Sequence, residues 1–117
     1  MNLTDRPIYA KGQRPVVSKP LRNASRGAAC TLRIPGVCNN NPATVVGAHL
    51  RLFGTAGAAQ KPHDLFLVDA CHACHAAQED RARWPELALG YDDLLRALME
   101  TQSRRIAAGL ITVKGDT

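Results

Sequence analysis

Four cysteines fall in two pairs along the chain, Cys30 with Cys38 and Cys71 with Cys74, and His75 follows the last of them directly. Thiolates are soft ligands, and four of them satisfy the tetrahedral preference of Zn²⁺. Cys71 and Cys74, two residues apart, can grip one ion from a tight turn. Seven residues separate Cys30 from Cys38, so the Ile34-Pro35-Gly36 segment must fold the chain back before that pair can join. The expectation is a structural Zn²⁺ held by Cys30, Cys38, Cys71 and Cys74. The main variant is a mixed site in which His72 or His75 replaces one thiolate. Cys71-His72-Ala73-Cys74-His75 also spells the c-type haem attachment pattern. That reading needs export and leaves Cys30 and Cys38 without a role.

With sulfur holding the metal, His49 and His75 remain for other work. A neutral imidazole ligates a divalent ion or takes a proton from water near neutral pH. One metal and one general base are the minimum for hydrolysing a phosphodiester, the ion polarising the phosphate and the base activating water. On position alone, a hydrogen-bonded core or surface histidine is the simpler reading of His49. The chemistry depends on whether the chain brings His49 and His75 together.

The elements that must do this are short. Cys30-Thr31-Leu32-Arg33-Ile34 alternates and suggests a brief strand, turned by Pro35-Gly36. Asn39-Asn40-Asn41-Pro42 signals a turn, and the β-branched start of Thr44 to Leu50 suggests a second strand ending near His49. A loop over residues 51–63 contains Gly54 and Gly57. Asp64 to Ala70 is a strand or an irregular approach to Cys71. A helix follows from Cys74, and Pro85 opens another. Within Glu86 to Ala108 a leucine-rich stripe is interrupted at Gly90 and capped by Gly109. Leu110 to Val113 suggests a small edge strand.

At 117 residues with 4% aromatics, the chain has room for one domain with a thin core, and a metal would staple it. The net charge of +5 sits in residues 1–29, which hold six Lys or Arg against Asp5; the remainder balances. That stretch, with Pro7, Pro15 and Pro20, reads as an extended basic arm suited to phosphate contact or simply to solubility. No stretch approaches the ~20 apolar residues of a membrane span, and the N-terminus has no apolar signal core. A cytoplasmic protein with reduced thiols is expected.

The runs Cys30 to Asn39, Ala48-His49-Leu50-Arg51-Leu52, Lys61-Pro62-His63-Asp64-Leu65 and Ala70 to His75 closely resemble the YbcO-like nucleases of prophages. These look like relatives of the HNH endonucleases. The resemblance spans about Arg26 to Arg81. It implies an α+β fold in which a zinc-stabilised ββα-metal core frames a second, catalytic metal. The basic arm would occupy residues 1–27 and the nuclease domain residues 28–117, ending in a C-terminal helix.

By the same resemblance His49 matches the water-activating base and His75 a ligand of the catalytic Mg²⁺ or Mn²⁺. Asp64 would orient His49 or bind that ion, and Lys61 would touch the scissile phosphate or balance charge. Many HNH sites carry an acidic ligand just before the first histidine, where this chain has Ala48. Asp64, Asp69 or Asp80 would have to supply the carboxylate. The wide Cys30–Cys38 spacing also departs from the common HNH knuckle. The expected activity is metal-dependent hydrolysis of DNA, with branched or recombining DNA as the candidate substrate. The alternative is a non-catalytic zinc module that binds nucleic acid through the arm. The leucine-rich helix could also serve a homodimer, with core packing its more ordinary use.

Overall fold

The structure is a computed structural model that describes residues 8–50 and 62–116. Among these the chain is α+β, with one two-stranded antiparallel sheet and four α-helices. Helix α1, Lys19–Asn23, begins where the Ser18 hydroxyl accepts the Leu21 N–H, with Pro20 in its first turn. Strand β1, Val46–His49, follows a 3₁₀ turn in which the Asn41 side chain accepts the Ala43 N–H. Strand β2, Leu67–Ala70, follows a second 3₁₀ turn at Asp64–Phe66. The register sets Val46 opposite Ala70 and His49 opposite Leu67. All four residues of β2 are buried, which explains why its sequence lacks an in–out alternation.

Helix α2, His72–Glu79, starts directly after β2, with the Cys71 sulfur accepting the Cys74 N–H. Helix α3, Trp84–Leu87, stops at Ala88 in the left-handed region. Helix α4, Tyr91–Ala107, starts at Gly90, whose N–H donates to the Asp93 carboxylate. It is capped at Ala108 and followed by Gly109, with φ of +74°, a conformation glycine adopts without strain. The core gathers Ala48, Val68 and Ala70 of the sheet with Leu94 and Ala97 of α4, Trp84, and Leu32 and Ile34 of the cysteine loop. A Cβ on Gly47 would stand 3.0 Å from the Ser25 hydroxyl, so glycine lets the segment after α1 close on β1.

Three elements differ from expectation. Cys30 to Ile34 is not a strand. The Thr31 N–H does bond to the Asp69 carbonyl, but Arg33 at φ +45° breaks the extended path. The stripe from Glu86 to Ala108 is two helices, because Gly90 is a cap rather than an interior defect. Leu110 to Val113 is bent and irregular. The Leu110 and Ile111 N–H groups both close on the Arg105 carbonyl and cannot join a ladder. No described helix is long and apolar enough to cross a membrane.

The sheet is tied to α4 by a buried charge. Asp69 is fully buried and pairs with Arg105, itself almost wholly buried, and with Arg104 at 2.9 Å. Arg105 also donates to the Ser25 hydroxyl, and the Asp69 N–H donates to the Thr101 hydroxyl. Removing one partner strands a buried guanidinium, and such losses cost about 3–5 kcal/mol. Asp69→Ala is therefore expected to lower the unfolding free energy by that amount in urea titration, while an exposed charge such as Glu86 should be nearly neutral when removed.

Candidate active site and metal centre

The sulfur atoms of Cys30, Cys38, Cys71 and Cys74 all lie within 4.8 Å of one another. Cys38 and Cys71 sulfurs are 3.9 Å apart, close to the ~3.8 Å edge that a tetrahedron of 2.3 Å Zn–S bonds requires. The wide pair closes because the Val37 and Cys38 N–H groups both fold back onto the Ile34 carbonyl, through Gly36 at φ +74°. Cys71 and Cys74 come from the sharp passage of β2 into α2. Three of the four are buried and none is in a disulfide. The hydrogen bond from Cys74 holds the Cys30 thiol down to about 4, against its burial, and the same contact pushes the Cys74 thiol up. Four sulfurs this close share protons unless a cation takes them all as thiolates. The donor set therefore fits a structural metal ion and could bind zinc.

On the β1 side, His49 Nε2 donates to Asp64 Oδ1 at 2.8 Å. Asp64 Oδ2 accepts the Ser18 N–H at 2.6 Å and Arg22 Nε at 2.8 Å. The Asp64 side chain has no exposure, whereas His49 retains 17%. Burial would raise the Asp64 carboxyl, but the Ser18 N–H, Arg22 and His49 together hold it below the usual carboxylate range. Because a carboxylate only accepts, the shared proton belongs to His49 Nε2, and the neutral ring then carries its lone pair at Nδ1. The neighbouring His63 is buried. Its Nδ1 accepts the Val16 N–H, and its ring packs edge-on against Tyr9 and Phe66.

The other expected site residues are placed differently. His75 Nε2 meets Glu79 Oε1 at 3.1 Å, one turn along α2. Among the described residues the cysteines are the only set of three or more His, Cys, Asp or Glu donors that converge. The structure thus joins His49 to Asp64 but does not gather His75 with them. Asp69 faces Arg104 and Arg105, and Asp80 is an exposed C-cap of α2. Ala48 is wholly buried on the opposite strand face from His49, so an acid there would point into the core. Lys61 lies outside the described residues. Ser18 and Arg22 were not singled out by sequence reasoning. Ser18-Lys19-Pro20 carries a helix-start signature, but nothing local couples Arg22 to a carboxylate 42 residues away.

The family model described as "Putative nuclease YbcO" matches residues 19–109. Two curated relatives are each 42% identical over 91 residues, covering 78% of this chain and 95% of the relative. They are "Putative nuclease YbcO" of Escherichia coli (strain K12) and "Putative nuclease ybcO" of Enterobacteria phage 82. A solved structure, described as a putative bacteriophage protein from Escherichia coli str. K-12 substr. MG1655, is 38% identical. It superimposes with a TM-score of 0.62 over 77% of this chain and all of that one. With its family model matched across α1, both strands and α4, this chain belongs to the YbcO nuclease family.

Proposed function

We propose that this chain is a DNA endonuclease in which His49 is the general base and Asp64 holds it in the working tautomer. The observation that carries this reading is the short His49–Asp64 bond, built on a carboxylate that is itself buried and fixed from two other sides. A water oxygen attacks phosphorus while its proton passes to His49 Nδ1. The P–O bond to the leaving oxygen breaks, and that oxygen departs with the bonding pair and is then protonated. Asp64 steadies the imidazolium that forms without taking its proton. The order β1, β2, α2, with His49 at a strand end and the sulfur cluster at the strand–helix junction, supports a zinc-stabilised ββα-metal frame.

Mg²⁺ or Mn²⁺, when bound, would polarise the phosphate and stabilise the leaving oxygen. His75 and Glu79 offer one nitrogen and one carboxylate for such an ion, and hard cations commonly complete their shell with water and substrate phosphate. Nicking of supercoiled and branched DNA by the metal-loaded protein tests the reading. Relaxed circles are expected only when Mg²⁺ or Mn²⁺ is added. Salt-dependent DNA binding with no nicking under either ion would replace the hydrolase by a binding module.

A further inference from the structure

Beyond the His49–Asp64 pair, and resting on the hydrolytic reading of it, we propose that Arg22 binds the phosphate attacked by the water that His49 activates. Arg22 stands on α1, which lies against both β1 and the turn that carries Asp64. Its Nε donates to Asp64 Oδ2 while His49 takes Oδ1, so guanidinium and imidazole sit one carboxylate's width apart. The side chain is still 37% exposed, and among the described residues its Nη1 and Nη2 atoms make no hydrogen bond. A guanidinium has five N–H donors in a fixed fork that matches two phosphate oxygens. One donor is used here to fix the fork's direction, and the open edge carries the rest.

Charge accounting favours the same assignment. With neutral His49, Asp64 and Arg22 cancel, so the resting site is not strongly charged. Once His49 accepts the proton of water, the trio is positive by one, as the attacked phosphate gains negative charge. A preoriented cation at that moment stabilises the transition state more than the bound substrate. The basic residues flanking it, Lys19 and Arg26, are exposed, so DNA could approach α1 from solvent.

The test uses the full chain with Arg22→Gln and Arg22→Lys. Glutamine keeps a donor for Asp64 but loses the charge and the fork. Binding of a short labelled duplex, followed without added Mg²⁺ or Mn²⁺ and without chelator over a range of salt, should show the log K against log salt slope fall by about 0.9 in Arg22→Gln, the value for one lost phosphate contact. Arg22→Lys should restore most of that slope. Nicking by Arg22→Gln should fall at least tenfold in kcat, and lysine should recover it only in part. An unchanged slope with reduced nicking would mean that Arg22 serves Asp64 alone and would overturn the phosphate contact. A reduced slope in a protein that never nicks, even unaltered, would keep the contact and remove the hydrolytic reading.

Discussion

His49→Ala is expected to lower DNA nicking by about 10²–10⁴-fold while leaving the fold and the bound metal intact, since general-base catalysis contributes on that scale. The expectation is sharp because His49 does little for packing. It ends β1 with one face partly open, whereas its strand neighbour Ala48 is wholly buried in the core. Removing the ring leaves Asp64 with the Ser18 N–H and Arg22, so the carboxylate stays paired and the stability loss should be small. Asp64→Asn is the informative companion. Ser18 and Arg22 share Asp64 Oδ2 while His49 has Oδ1 to itself, so the single acceptor oxygen of an amide keeps the first two and turns its NH2 toward His49. The ring would then lose its orientation and the preferred tautomer. Nicking should fall in both variants, and circular dichroism should show retained structure for His49→Ala. Full nicking by a folded His49→Ala protein would remove the base assignment and leave the histidine a structural partner of Asp64.

How much of this was legible along the chain depends on the range of the interaction. The cysteine cluster was readable because Cys71 and Cys74 announce themselves locally, and the Pro35-Gly36 turn gave the return path for Cys38. The strand ending at His49 was readable from β-branched residues and an Asn-Pro turn. The Cys30 to Ile34 segment misled because it alternates like a strand. Its path is set by Arg33, held in the left-handed region where its guanidinium reaches the Cys30 carbonyl and pairs with Glu100, 67 residues away. Asp64 was a loose match by sequence, and its role depends on Ser18 and Arg22, which arrive from a segment that composition marks only as basic. The tail misled in the opposite way, since the first two residues of its apolar run were captured by the Arg105 carbonyl of α4.

If the four cysteines hold a metal, stripping it is expected to unfold the domain rather than merely soften it. A 117-residue domain has net stability on the order of 5–15 kcal/mol, and structural zinc contributes about 10–16 kcal/mol in small metal-folded domains. The two quantities are comparable, so the metal is not a minor increment. The geometry explains why. Cys30 and Cys38 bracket a loop with no regular structure, which their sulfurs and a few hydrogen bonds tie to the β2–α2 junction. Leu32 and Ile34, which fill the core beside Val68 and Trp84, are carried on the same loop. Releasing the sulfurs would free those side chains together. The Asp69 network would persist, but it joins α4 to β2 and Ser25 without holding Cys38. Chelation under reducing conditions should therefore produce a cooperative loss of helical signal, reversed by one equivalent of Zn²⁺ per chain. Cys74→Ser should reproduce it without a chelator. A chelated protein that melts at an unchanged temperature would show that the thin apolar core suffices, and that the four thiols are close for reasons of packing alone.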